Sequence, residues 1–414
     1  EIQRADLKYI IVVDLPSNID ERSKILDKLS SFNTTIKFLN FNQTNKINFE
    51  NKLFEDIDID LLLSREKVSI NYSIISAFFK DKTILVTGSG GSIGSELCRQ
   101  IIKYKPKKLL LLEISEYALY SIHSELMTLS DSGIEVIPLI GSVQDDKRMK
   151  EILSIWKPAT IYHAAAYKHV PIVEQNLIEG LKNNLLGTFS LAKLAAKHNT
   201  SNFVFISTDK AVRPTNIMGA TKRIAELSLQ ALNDSLYYSE NKIKTKFSIV
   251  RFGNVLDSSG SVIPKFRDQI KKGGPITLTH KEITRYFMTI TEASQLVIQA
   301  GAMAEGGDVF VLDMGEPIKI YDLAVRMIEL SGLSQKDFLN NRGDIEIKVT
   351  GLRPGEKLYE ELLLSNNPKK TIHPRIFKSE EPFIEFSELD EEINILQELI
   401  VKNDLENILN KIRR

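Results

Sequence analysis

From Lys82 onward, short runs rich in Leu, Ile, Val and Phe alternate with helix-length amphipathic stretches. That alternation constrains the fold more than any other feature of the chain. Strands are expected at Thr83–Thr87, Lys108–Glu113, Glu135–Ile140, 160–164, 202–207 and 247–252. Spacers of helix length cannot be hairpin turns, so consecutive strands must run parallel, with helices crossing over the sheet. The expected class is α/β with a doubly wound parallel sheet.

Around this catalytic domain, 81–252, the pattern is less regular. Residues 253–378 break into Gly/Pro-punctuated pieces and are expected to form mainly a substrate-binding region, interleaved with the catalytic domain. Ligands of open α/β sheets sit beyond the carboxyl ends of the strands, where such pieces lie. Residues 1–65 read as the C-terminal half of a truncated α/β domain, with strands at Tyr9–Val13 and Thr35–Leu39 around a helix over about 20–32. A connector spans 66–80, and 379–414 reads as C-terminal surface helices.

The length of 414 residues implies two or three domains. With 54 basic against 54 acidic residues, the chain lacks the charge excess of a nucleic-acid or membrane-surface binder. The single cysteine, Cys98, rules out an intrachain disulfide and fits a reducing compartment. No apolar run approaches the roughly 18 residues of a membrane span. A start at Glu1, directly before a strand-like run, reads as a cut inside a longer protein.

The strand Thr83–Thr87 runs into Gly88-Ser89-Gly90-Gly91-Ser92-Ile93-Gly94, where a helix begins. Strand, glycine turn and helix start in succession form a pyrophosphate cradle: glycine admits positive φ, and the helix N-terminus offers free N–H groups. Gly88, Ser89, Gly91, Ser92, Ile93 and Gly94 are the expected contacts. Glu113 closes the second strand, where a carboxylate binds a ribose 2′-OH and repels a 2′-phosphate, favouring NAD over NADP; a solvated strand-end Glu is the alternative. Ser115, Ser142, Val143 and Asn184 are further candidates. Ala164, Ala165 and Ala166 are small enough for nicotinamide and ribose to lie close. His163 fits a packed histidine as well as a ligand, and no cluster has convincing metal spacing.

Ser207-Thr208-Asp209-Lys210 follows the fifth strand, and Met218-Gly219-Ala220-Thr221-Lys222 lies on the next helix. With them stand Arg251-Phe-Gly-Asn-Val255, Ser258-Ser-Gly-Ser-Val-Ile-Pro264, Thr284-Arg-Tyr-Phe-Met288 and Gly351-Leu-Arg-Pro-Gly-Glu-Lys-Leu-Tyr-Glu-Glu361. By these motifs the chain resembles the extended short-chain dehydrogenase/reductases. Within them it is similar to the large membrane-anchored bacterial nucleotide-sugar 4,6-dehydratases, over about 1–378, and most of all to those acting on UDP-N-acetylglucosamine in the bacillosamine (N-glycan) pathway.

The resemblance implies a Rossmann-like fold, tightly held and recycled NAD, UDP-N-acetylglucosamine as substrate and a homo-oligomer. It also implies membrane anchorage through an N-terminal segment beyond this sequence, with the catalytic part in the cytoplasm. The family's Tyr-x-x-x-Lys pair is represented by Met218 and Lys222, and methionine carries no proton. The resemblance places Thr208 at the C4 oxygen, Asp209 as acid at C6, Lys210 as base at C5 and Lys222 on the nicotinamide ribose. Thr208 relaying to Asp209 would replace the missing tyrosine. Lysine acting as a base needs a neutral amine, expected from burial beside Lys222. Lys168, Asn254, Arg285, Arg353 and Glu356 fall on the substrate side. Relatives that invert C5 usually keep the tyrosine, so Met218 favours retention. A nucleotide-sugar 4-epimerase and a non-catalytic NAD-binding scaffold remain as alternatives. Asp257 and the Ser142-Val143-Gln144 run depart from the family pattern.

Overall fold

The apolar runs that open the α/β repeats become strands buried on both faces, as a parallel sheet covered by helices requires, except at the edge strand Glu135–Ile140, which is partly exposed. In a computed structural model of the chain, the described residues are 68–413 apart from 69, 130–132, 238–244, 337–342 and 364–367, together with 9–13, 24, 25, 28, 35–39 and 55–56. The chain divides into two units: a larger one of Val68–Gly253, Ile290–Asp313 and Glu360–Arg414, and a smaller one of Glu1–Lys67, Asn254–Thr289 and Met314–Tyr359.

The larger unit is built on a nine-stranded sheet: β1 (Thr83–Thr87), β2 (Lys108–Glu113), β3 (Glu135–Ile140), β4 (Thr160–His163), β5 (Asn202–Ile206), β6 (Lys246–Arg251), β7 (Asp308–Leu312), β8 (Lys369–Lys370) and β9 (Ile376–Ser379). Their spatial order is β3-β2-β1-β4-β5-β6-β7-β9-β8. The first seven run parallel, and β9 and β8 are antiparallel additions. The doubly wound class is therefore as expected, with β4 and β5 ending one residue earlier than anticipated and β6 shifted back by one. Strand order reverses between β1 and β4, which creates the crevice where such sheets bind ligands.

Seven helices matter for the site: α1 (Ser92–Ile102), α2 (Glu116–Leu129), α3 (Asp146–Trp156), α4 (Thr188–Lys197), α5 (Ile217–Tyr237), α6 (Ile290–Met303) and α7 (Phe386–Val401). Leu85, Ile161, Phe203, Phe205, Phe247 and Ile249 share one core with α3, α4, α5 and α7. Their neighbours along the strands point the other way, as strand alternation demands; Tyr162 meets the ring of Phe79 at 6.3 Å between centroids, and α6 packs on α1. Leu389, Ile393, Leu396 and Ile400 seat α7 in the first core, so the C-terminal helices there serve packing.

One helix was expected across 176–198. Instead Leu177–Leu181 passes through a π turn, Lys182–Gly187, into α4. A π turn inserts one residue into the helical repeat and re-aims the side chains it carries, and here Asn183 and Asn184 are buried by it.

In the smaller unit Tyr9–Val13 pairs parallel with Thr35–Leu39, which pairs antiparallel with Glu55–Asp56. Ile10, Val12 and Ile25 pack against a core including Ile263, Phe266, Ile276, Leu323, Ile328 and Ile345. The helix expected over 20–32 lies for the most part outside the described residues. The stretch 253–378 is not continuous in space: α6 and β7 return to the larger unit, as does the chain beyond Glu360.

Candidate active site

The turn after β1 is shaped by what it lacks. Gly88 has φ +65°, and a Cβ on it would meet Ala165 N and Cα at 2.8 Å. On Gly94 a Cβ would stand 2.0 Å from Gly88 O, so α1 starts directly against the turn. Gly91 caps α1 without a side-chain bond, and Ser92 and Ile93 open its first turn. Ser89 is fully buried, and its hydroxyl has no hydrogen-bond partner among the described residues. An orphaned hydroxyl, a cradle that any Cβ would fill and a helix N-terminus without a side-chain cap fit a dinucleotide pyrophosphate.

Glu113 accepts hydrogen bonds from Gly90 N (3.0 Å), Ile114 N (2.9 Å) and Ser115 N (3.1 Å). Three of a carboxylate's roughly four acceptor positions are used, and one is left for a hydroxyl. Ser115 Oγ accepts from Ala118 N at 3.3 Å and Ser142 Oγ from Gln144 N at 3.1 Å; Val143 is buried. Ala164, Ala165 and Ala166 are half-buried, and the first two are tied to Thr87 by its carbonyl (3.2 Å) and hydroxyl (3.3 Å). Lys168 is exposed.

Asn184, expected among the cofactor contacts, is buried and hydrogen-bonded within the protein. Its amide accepts from Tyr167 N (2.8 Å) and Asn183 Nδ2 (3.1 Å), and donates to Tyr167 O (2.9 Å) and Thr221 Oγ1 (3.2 Å). With every donor and acceptor group engaged, Asn184 clamps the loop after β4 to the helix that carries Lys222. The π turn places it there.

His163 is packed rather than free. Its Nδ1 lies 2.7 Å from Thr87 Oγ1 and its Nε2 2.8 Å from Thr188 Oγ1. Thr188 donates its hydrogen to Asn184 O at 2.8 Å, so it accepts from the ring, which is the Nε2–H tautomer. Burial and the nearby Lys222 push the His163 pKa down to about 3.

At the end of β5, Thr208 caps a single 3₁₀ turn, Asp209–Ala211. Asp209 is wholly buried; its Oδ1 accepts from Thr208 Oγ1 (2.8 Å) and Lys210 Nζ (2.9 Å), while Oδ2 has no partner among the described residues. Met218 and Lys222 lie one helical turn apart on α5, both buried. Lys222 Nζ donates to Ile206 O at 2.6 Å and sits 3.8 Å from the centroid of Phe205. Desolvation lowers the pKa of this amine to about 7 against the raising effect of Glu226. Gly219 was not singled out from sequence, yet a Cβ on it would stand 2.2 Å from Lys210 O. Its place between Met218 and Lys222 was the available signal.

The remaining candidates lie in the smaller unit. Arg285 is buried, donates to Thr284 O (2.7 Å) and faces Glu356 Oε1 at 3.5 Å. Glu356 also accepts from Thr279 Oγ1 (3.0 Å) and from Arg353 N (3.1 Å), and Arg353 itself is exposed. Arg285, Arg353 and Glu356 thus form one cluster. Asn254 is half-buried and its N donates to Tyr286 O at 3.0 Å. Asp257 has φ +55° and its carboxylate lies 3.4 Å from Arg267. Among the described residues no group of His, Cys, Asp and Glu could hold a metal, and no helix is long and apolar enough to cross a membrane.

The chain is 48% identical to the capsular polysaccharide biosynthesis protein CapD of Staphylococcus aureus, over 88% of this chain and 58% of that protein. It spans just over half the length of that relative and of a second one like it. It is 29% identical to a UDP-N-acetylglucosamine 4,6-dehydratase (inverting) of Campylobacter jejuni subsp. jejuni, over 77% of this chain and 88% of that protein. To a UDP-glucose 4-epimerase of Rickettsia canadensis it is 32% identical, over 70% and 80% respectively. The crystal structure of DesIV, a dTDP-glucose 4,6-dehydratase from Streptomyces venezuelae with NAD and TYD bound, superposes with a TM-score of 0.57 over 68% of this chain and 88% of DesIV; at 19% identity the likeness is one of fold. Residues 84–381, which carry the glycine turn, the Thr208–Lys210 turn and α5, match the family described as polysaccharide biosynthesis protein, and the chain belongs to that family.

Proposed function

We propose that the chain is an NAD-dependent nucleotide-sugar 4,6-dehydratase acting on UDP-N-acetylglucosamine, with C5 configuration retained. The observation that carries the reading is the arrangement at the end of β5, where a buried carboxylate touches both a hydroxyl and an amine. Support for the substrate comes from the resemblance and from the Campylobacter relative; support for retention comes from Met218 alone. Membrane anchorage of a longer protein and a homo-oligomer belong to the same reading and rest on resemblance.

The cradle of Gly88, Ser89, Gly91 and Gly94 with Glu113 would hold NAD, whose chemistry is to oxidise C4 to a ketone and return the same reducing equivalent at C6. A ketone at C4 makes the C5 proton acidic. Lys210 takes that proton, and Asp209 gives its own to the C6 oxygen, which departs as water. Lys210 returns that proton to C5 as C6 is reduced, and so ends as the neutral amine it began as. Thr208, bonded to Asp209, meets the C4 hydroxyl and in place of a tyrosine passes its proton to that carboxylate, which is the proton Asp209 gives at C6. Buried Lys222 holds the nicotinamide ribose. Arg285, Arg353, Asn254 and Glu356 are assigned to the nucleotide, since guanidinium forks suit phosphate oxygens.

The likeness to a UDP-glucose 4-epimerase favours a second reading, epimerisation without elimination. Incubating the protein with UDP-N-acetylglucosamine in D₂O, followed by proton NMR, separates the two. A 6-deoxy methyl signal collapsing to a singlet as deuterium enters C5 is expected. A C4 epimer with its C6 hydroxyl intact would overturn dehydration, and an untouched substrate with NAD bound would favour a scaffold.

A further inference from the structure

Arg251 ends β6 and is wholly buried. Its Nε and Nη2 donate to Glu226 on α5 at 2.7 and 2.5 Å. Its Nη1 and Nη2 donate to Glu381, two residues past β9, at 2.5 and 2.8 Å. Arg223 closes the cage, with Nη1 2.6 Å from Glu381 and 3.1 Å from Glu226, and Ser379 Oγ donates to Glu381 at 3.0 Å. Two positive and two negative charges are thus fully paired away from water. For stability alone, apolar side chains of the same volume serve about as well as a buried ion pair.

What the cage reaches distinguishes it. Ser207 Oγ donates to Glu226 Oε1 at 2.6 Å. Ser207 N donates to Val250 O at 2.8 Å and Asp209 N to Phe252 O at 3.1 Å, and these carbonyls flank Arg251 on either side. One hydrogen bond therefore joins the cage itself to the segment that carries Thr208, Asp209 and Lys210, and two backbone bonds hold that segment to the residues on either side of Arg251.

We propose that Glu226, gripped by Arg251 and through it by Glu381, is a positioning residue that sets this turn by way of Ser207. The proposal rests on the reading of Thr208, Asp209 and Lys210 as the reacting groups. Proton transfer needs its partners within hydrogen-bond reach, and a displacement of about 1 Å costs on the order of a hundredfold in rate. Glu381 lies 172 residues beyond Asp209 in the chain, so the C-terminal strand takes part in catalysis without touching substrate.

The test is Ser207→Ala in the whole chain, which removes one hydrogen bond and leaves all four charges paired. The expected result is a kcat lower by about ten- to a hundredfold, with KM for UDP-N-acetylglucosamine and bound NAD unchanged and the melting temperature lowered only by the few degrees that one buried hydrogen bond is worth. Hydrogen–deuterium exchange should be faster at the amides of 209–212 only, and Ser207→Thr, which keeps the hydroxyl, should restore the rate. An unchanged kcat overturns the proposal. So does a parallel loss of melting temperature and activity that Ser207→Thr does not restore, since that marks a merely structural bond. Should the wild-type protein turn over no UDP-sugar, the functional reading falls, and exchange at 209–212 decides the positioning: faster exchange upholds it and unchanged exchange overturns it.

Discussion

Replacing Lys222 with methionine should make the cofactor-free protein more stable at neutral and acid pH while abolishing turnover. Burial takes the amine from an ordinary 10.5 to about 7, which corresponds to roughly 5 kcal/mol against the charged form. An unfolded chain keeps that proton up to about pH 10.5, whereas the folded one releases it near 7. Between those values the unfolded state binds more protons, so wild-type stability rises with pH across the window, by up to about 1.4 kcal/mol per pH unit from this group. Below pH 7 the full penalty is present. Lys222→Met removes the penalty, together with the 2.6 Å bond to Ile206 O and the contact with Phe205, worth about 1 kcal/mol each. The variant should therefore gain on the order of 2–4 kcal/mol at pH 6, lose the advantage as pH approaches 10, and end slightly less stable than wild type. Urea unfolding of both cofactor-free proteins from pH 6 to 10 measures the difference. A stability difference independent of pH would refute the argument, because it would mean that the amine keeps its proton in the folded state throughout.

Gly94→Ala must push α1 away from Gly88 O, since 2.0 Å is far inside a normal contact; we expect a loss of about 1–3 kcal/mol and loss of NAD binding, and calorimetric titration with NAD at wild-type affinity would contradict this. His163 should show ¹⁵N shifts of a neutral Nε2–H ring that do not move between pH 5 and 8, because its pKa is held near 3. Since only the unfolded state takes up this proton between about 6.5 and 3, the same group lowers stability as pH falls through that window; a ring titrating near pH 6.5 would refute the assignment. Lys210→Ala should abolish deuterium incorporation at C5 while reduced cofactor still forms, and exchange at the wild-type rate would remove Lys210 from the role of base.

The sheet, its parallel sense and the glycine turn were legible because each depends on local pattern. Continuous apolar runs of strand length, helix-length spacers and a strand–glycine–helix junction are written in consecutive residues. Thr208, Asp209 and Lys210 were likewise readable, being neighbours whose mutual contacts need only one tight turn. Other features were decided by residues far apart in the chain, or by a change of helical repeat that leaves no compositional trace. The π turn is one, since its sequence suits an α-helix and its reward is the contact of Asn184 with Tyr167 and Thr221. Gly219 is another: its missing side chain matters only because Lys210 O lies opposite it. Membership of α6, β7 and the chain beyond Glu360 in the larger unit follows from long-range strand pairing and core packing. Above all, no local pattern relates Glu226, Arg251 and Glu381. Sequence alone determined which strands form and that Thr208, Asp209 and Lys210 stand together; only tertiary structure decided which buried charges pair across them, because pairing depends on distances that the folded chain alone makes short.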